Sequence, residues 1–258
     1  MFNHIEKLEN LRALLLLQPA IQEFQQTYKS TSMIYKIPPG IFSKLKHLQV
    51  LNLSGFPIID LPSSIGETKE LRYLDLSYTL IELLPVTICL LSNLETLKLR
   101  GCVRLVRLPE GIIKLTSLLH LDLNILSQLS LLPKGIGKLT ALETLSAFLV
   151  DKEYGRRINE LGYMNNLEGS LCISQLERVS NSSEAKEAAL SHKKHLKRLE
   201  LRWSAPRLSR KKNQELEYEV LDNLCPPSSI EDLEISGYGG LIFPNWIGDS
   251  KVLHMLLA

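Results

Sequence analysis

The chain has 258 residues, 45% of them apolar and 22% charged, with a formal net charge of +2 at pH 7. That composition can build a core, excludes a chain disordered by composition, and argues against a globally electrostatic partner such as duplex DNA. Four scattered cysteines (Cys89, Cys102, Cys172, Cys225) lack C-x-x-C spacing, which speaks against a disulfide framework or a zinc site and for free thiols in a reducing compartment.

Residues 1–36 read as an irregular repeat remnant. The opening "MFNHIEKLENLRALLLLQP" is not a signal peptide, because its apolar run is short, acids precede it and no small-residue cleavage site follows. No apolar run is long enough to span a membrane. An early Leu-x-Leu pair stands at Leu14/Leu16.

From residue 37 to 150 the chain repeats itself. Leu-x-Leu recurs at Leu51/Leu53, Leu74/Leu76, Leu97/Leu99 and Leu121/Leu123, and weakens to Leu145/Ala147, at intervals of 23, 23, 24 and 24 residues. A second marker runs in phase: Ile37-Pro38-x-x-Ile41, Leu61-Pro62-x-x-Ile65, Leu84-Pro85-x-x-Ile88, Leu108-Pro109-x-x-Ile112 and Leu132-Pro133-x-x-Ile136. Alternation in Leu-x-Leu predicts a short strand with both leucines on one face. The apolar-spaced segment after each proline predicts a helical turn on the opposite side. Each repeat sends roughly six apolar side chains inward, worth about 1.5–3 kcal/mol each when buried. One repeat cannot bury them alone, so the predicted fold is an α/β leucine-rich-repeat solenoid, a curved horseshoe with a parallel sheet on its concave face and short helices or irregular turns on its convex face. Many such repeats carry an Asn three positions after the last strand Leu. Here Phe56, Thr79, Cys102 and Leu126 occupy that position. Only Thr79 is expected to bond the turn backbone, so a less regular superhelix is anticipated.

Residues 151–258 read as irregular repeats with helical and basic-loop insertions. Leu171/Ile173, Leu199/Leu201 and Leu233/Ile235 continue the strand pattern, and Phe243-Pro244-x-x-Ile247 the second marker. Asn181-Ser-Ser-Glu184 followed by "AKEAALSHKKHL" reads as a capped helix, and Glu215 to Leu224 as a second one. The segment Arg202 to Gln214 reads as a polar, basic loop. The last residues lack a polar capping repeat, which suggests part of a longer protein.

The segment "LPSSIGETKELRYLDLSYTLIELLPVTICLLSNLETLKLRGC", the stretch Leu108-Pro109 to Leu121-Asp122, the junction "LETLSAFLV", "LEGSLCISQLERV", and the late pieces "HLKRLELRW" and "FPNWIGD" resemble the leucine-rich-repeat region of plant coiled-coil nucleotide-binding disease resistance proteins (NLRs). The resemblance covers nearly the whole chain, and the order of the segments is more specific than any single repeat. It implies the sensor part of an intracellular immune receptor, cytoplasmic with the nucleus as a second compartment. Such a part recognises pathogen effectors or a guarded host protein and folds back on the nucleotide-binding module. The ADP/ATP site of that family lies in an upstream module, so no cofactor is assigned to these residues.

Side chains flanking each Leu-x-Leu point to the open face of the sheet and form the candidate partner-binding columns: Tyr73, Asp75, Lys98, Arg100, His120, Asp122 and Asn124, and later Arg198, Glu200 and Arg202. Eight strands spaced about 4.8 Å apart span on the order of 35 Å, which suits a protein surface. Plain solvation of a polar face is the competing reading. The segment His192 to Lys212 holds nine Lys or Arg against one acid. Within it Lys193, Lys197 and Arg207 are candidates for docking an acidic partner, against the simpler reading of a solvated loop balanced by nearby acids. Nucleic acid is disfavoured because Trp203 is the lone aromatic there. Gly135-Ile-Gly137-Lys138-Leu-Thr140 looks like a phosphate loop but lacks the hydroxyl residue after the lysine, and reads as an ordinary repeat turn. The histidines lie in unlike repeat phases, no nucleophile elbow is present, and catalysis is not expected. A free-standing intracellular scaffold and a ubiquitin-ligase substrate adaptor are the alternative classes.

Overall fold

The computed structural model describes residues 8–16, 36–123, 132–153, 155–203 and 214–249. The chain divides into two compact units, Met1–Ser130 and Leu131–Ala258.

In the first unit five short strands lie parallel in chain order: β1 (Ala13–Leu15), β2 (Val50–Asn52), β3 (Tyr73–Asp75), β4 (Thr96–Lys98) and β5 (His120–Asp122). Their register places Leu14, Leu51, Leu74, Leu97 and Leu121 side by side. The first leucine of every Leu-x-Leu pair therefore forms one row under the sheet. Leu51, Leu74, Leu97 and Leu121 are fully buried, as expected.

The Leu-Pro-x-x-Ile marker has a specific local cause. Pro62, Pro85 and Pro109 each sit at the N-cap of a 3-10 helix (Ser63–Glu67, Val86–Leu90, Glu110–Lys114) with φ of −65°, −63° and −62°. The ring presets that angle, and the proline carbonyl accepts the amide of the isoleucine three residues on, at 3.0 Å in all three repeats. The same bond closes Pro38 to Ile41, at the start of α1 (Ile41–Lys44), at 3.2 Å. Ile65, Ile88 and Ile112 are thereby turned inward and fully buried.

One expectation is corrected here. The position of the missing Asn ladder is not mute at Cys102. Its buried thiol donates to the Leu76 carbonyl at 3.0 Å and lies 3.4 Å from the Thr79 hydroxyl, which itself donates to Leu76 O at 2.8 Å. Thiol and hydroxyl from successive repeats share one turn carbonyl. Leu126 lies outside the described residues.

In the second unit, β6 (Thr144–Leu145) is followed by a four-stranded parallel sheet of β7 (Ala147–Leu149), β8 (Glu168–Ser174), β9 (His195–Arg202) and β10 (Asp232–Ser236). The weak copy Leu145/Ala147 is explained by a slip. The strand breaks at Ser146; beyond it Ala147, Phe148 and Leu149 are all buried, and it is Phe148 that aligns with Ile173 while Ala147 faces Cys172. A bulge at Gly169/Ser170, with Gly169 at φ +68°, readjusts the register of β8 against β9. The inserted helices are α2 (Ser182–Glu187) and α3 (Gln214–Asn223), whereas α4 (Asn245–Asp249) follows the Phe243-Pro244-x-x-Ile247 marker, with the Pro244 carbonyl accepting the Ile247 amide at 3.1 Å. α2 begins as expected, with the Asn181 side chain accepting the Glu184 amide at 3.0 Å. It stops at Glu187, three residues into the helix-favouring stretch "AKEAALSHKKHL" and well short of its end. Ala189 takes a left-handed conformation, Leu190–His192 forms a 3-10 turn, and the chain is recruited into β9 from His195. Tertiary pairing with β8 overrides the local helix propensity.

Candidate protein-recognition face

Strand pleating turns the residues beside each core leucine outward, so their columns follow from the register. In the first unit Val50, Tyr73, Thr96 and His120 form one column, and Asn52, Asp75, Lys98 and Asp122 the next. Ala13 and Leu15 extend both columns onto β1, where Leu15 is half-exposed. The face thus passes from an apolar end at Leu15 and Val50 to a polar end at Lys98, His120 and Asp122. Asn124 lies outside the described residues.

Three of the expected residues form one cluster. The Tyr73 hydroxyl donates to Asp75 Oδ2 at 3.2 Å, and the Lys98 ammonium sits over the Tyr73 ring, 5.6 Å from its centroid. Asp75 is 7% exposed and also accepts the Ser77 amide at 2.9 Å. Burial, and then the Asp75 carboxylate, raise the Tyr73 phenol above its ordinary pKa, so it remains a neutral donor. Asp75 therefore organises the face and is spent on internal bonds.

Arg100 is exposed and makes no ion pair among the described residues. The expected face residues of the second unit differ. Arg198 pairs with Glu234 at 3.7 Å, and the Arg202 guanidinium donates to Glu200. Their charges are compensated on the strands that carry them.

Tyr78 was not singled out by its residue type, yet its position in the repeat sets it apart. Gly55, Tyr78 and Gly101 occupy the same place in consecutive repeats, and all three have positive φ, of +78°, +58° and +72°. Glycine accepts that conformation freely, while a bulky L-residue pays about 1–2 kcal/mol. The Tyr78 side chain is 48% exposed, and its ring covers Gly101 so closely that a methyl there would meet Cδ1 at 2.3 Å.

The basic candidates separate. Lys193 is fully buried and donates to the carbonyls of Leu161 and Met164 at 2.7 and 2.9 Å. It closes the C-terminal end of the 3-10 helix Ile158–Tyr163, where carbonyls lack intrahelical donors. A side chain held this way has no reach to an acidic partner, so its docking assignment gives way to a structural one. Burial lowers its pKa to about 8. Lys197 is exposed and ion-paired with Glu231. Arg207 lies outside the described residues. Trp203 is buried, in edge contact with Tyr238 at 5.3 Å, which places it in packing.

The glycine pair that imitates a phosphate loop is occupied by protein. Gly137 N–H donates to Glu160 Oε2 at 3.0 Å, and a carboxylate there repels phosphate. Among the described residues no group of three or more His, Cys, Asp or Glu is arranged to hold a metal. No helix among them is long and apolar enough to cross a membrane.

Parallel three-residue strands, leucine rows in register and short turns set by Leu-Pro-x-x-Ile define a leucine-rich-repeat protein. The family model described as leucine rich repeat matches residues 30–81, and the one described as R13L1/DRL21 LRRs matches residues 158–257. Disease resistance protein RGA2 of Solanum bulbocastanum is 41% identical over 224 residues, covering 86% of this chain and 22% of the relative. The disease resistance RPP13-like protein 1 of Arabidopsis thaliana is 41% identical over 227 residues, covering 86% of this chain and 21% of the relative. The chain belongs to the leucine-rich-repeat region of plant NLR disease resistance proteins, and it spans only about a fifth of the length of these two relatives. Among solved structures, a leucine-rich-repeat protein of Leptospira interrogans superposes with a TM-score of 0.55 at 26% identity, covering 85% of this chain and 56% of that one. The Arabidopsis receptor kinase HAESA, solved with a peptide hormone and a co-receptor, shares the fold with a TM-score of 0.52 at 20% identity, covering 86% of this chain and 35% of that one.

Proposed function

We propose that the chain is a non-enzymatic protein-recognition module of an intracellular plant immune receptor. It engages a pathogen effector or a guarded host protein through the open face of its strands, and it contacts the nucleotide-binding module of the full receptor to hold it inactive. The observation that carries this reading is the ordered Tyr73–Asp75–Lys98 cluster on an otherwise solvent-facing sheet. Its side chains are positioned by one another, with Asp75 anchored to the Ser77 amide, which is the arrangement a preorganised binding surface needs. The 41% identity to resistance proteins supports the receptor context. The cytoplasm, with the nucleus as a second compartment, follows from that context.

The test is proximity labelling in plant cells with the wild-type chain and a Lys98→Glu/Asp122→Lys variant. The expected result is a set of labelled proteins that the variant loses. Identical sets from both, or chaperones alone from the wild type, overturn the reading. A free-standing scaffold would keep its partners whether or not a nucleotide-binding module is encoded upstream.

A further inference from the structure

We propose that Tyr78 and Arg100 anchor an acidic polypeptide segment at the rim of the first unit's open face. This rests on the recognition reading and adds the chemistry of the partner.

The two residues are neighbours across adjacent repeats, for the Tyr78 amide donates to the Arg100 carbonyl at 2.7 Å. Tyr78 keeps an aromatic side chain in a left-handed conformation that the neighbouring repeats assign to Gly55 and Gly101. Its ring lies over Gly101 with 48% of the residue exposed. Strain at a residue whose side chain supports no core points to a role outside folding. Tyr and Arg are also the types that dominate binding energy at protein interfaces.

Charge selects the partner. The Asp75 carboxylate is buried and already takes the Ser77 amide and the Tyr73 hydroxyl. Asp122 lies opposite Lys98 in register. Arg100 is left with an exposed guanidinium and no ion pair among the described residues, whereas Arg198 and Arg202 on the second unit's strands are compensated. A guanidinium fork takes a carboxylate through two parallel N–H bonds. Arg100 directly precedes Gly101, which the Tyr78 ring covers, so that ring is placed to cover the aliphatic part of an Asp or Glu side chain and the adjoining peptide.

The strain makes the test clean. Tyr78→Gly removes the ring and relieves the backbone, so its thermal midpoint is expected to hold or rise. A random dodecapeptide phage library is panned on the purified full chain, on Tyr78→Gly and on Arg100→Glu. Wild type is expected to enrich Asp- and Glu-rich peptides. Tyr78→Gly should bind those same peptides at least tenfold more weakly, and Arg100→Glu should lose them. Equal binding of acidic peptides to Tyr78→Gly overturns the anchor and leaves the recognition reading standing. Enrichment of basic or purely apolar peptides overturns the acidic assignment. Recovery of no peptide at all overturns the anchor and weakens the recognition reading with it.

Discussion

At the scale of the residue, Lys193 shows how a charge that looks like surface becomes structure. Its ammonium is buried against two carbonyls at a turn end, and no acidic side chain among the described residues bonds it. Burial holds its pKa near 8, below the ordinary 10.5. Below pH 8 the folded and unfolded chains both carry the proton, and the folded state bears the full cost of the buried charge. Between about pH 8 and 10.5 the folded chain has lost the proton and the unfolded chain retains it, so stability rises with pH, by up to ~1.4 kcal/mol per pH unit from this group. The neutral amine still carries two N–H donors for the two carbonyls. Denaturant titrations of wild type and Lys193→Met across this range should show that the wild type gains stability relative to the variant as pH rises. A constant difference would remove the account. Lys193→Glu should fail to fold, because a carboxylate would face two carbonyl oxygens without a donor. Cys102 makes a parallel case with a weaker group. Its thiol is buried, its pKa is raised by burial, and it serves a turn carbonyl. Cys102→Ala should cost about 1–2 kcal/mol in chemical unfolding. Native wild-type protein should resist alkylation at this position at neutral pH.

At the scale of the element, the first unit could be read from sequence because each repeat states its instructions twice. Leu-x-Leu sets the strand face, and Leu-Pro-x-x-Ile sets the turn that returns the chain. The second unit states them once or not at all. Nothing local sets which of Ala147 and Phe148 continues the aligned row, since both are apolar and both are buried, and only the ladder to Cys172 and Ile173 decides. The end of α2 was equally hidden. Ala, Lys and Glu favour continuing the helix, and it is pairing of His195 onward with Glu168–Ser174 that stops it. Its beginning was legible because a cap is local chemistry: Asn181 accepts the Glu184 amide within four residues of chain. Asn181→Ala should therefore destabilise by about 1 kcal/mol. Asn181→Ser should recover most of that loss, both read as shifts in the urea midpoint. Equal losses in the two variants would show that the cap bond is not what Asn181 contributes.

At the scale of the whole molecule, stability in a repeat fold is a sum over neighbouring contacts, with each repeat sealing the one before it. The same principle explains what the sequence could not show of the candidate face. Which side chains share a column follows from the repeat period, and Tyr73, Asp75, Lys98 and His120 were accordingly legible. Which of them is spent on a neighbour, as Asp75 is, and which stays uncompensated, as Arg100 does, depends on side-chain geometry that no spacing encodes. The additive picture makes a local claim about the first unit. Leu97 is fully buried in the row between Leu74 and Leu121. Leu97→Ala should cost roughly 2–5 kcal/mol. The loss should fall on the repeats in contact with it, because the bonds that cross this layer are those of β4 to β3 and β5. Hydrogen exchange should therefore speed up at the amides of Tyr73–Asp75 and His120–Asp122, and least at Ala13–Leu15, two strands further along the ladder. Uniform loss of protection across β1 to β5 would instead show a unit that opens all at once, with no hierarchy among its repeats.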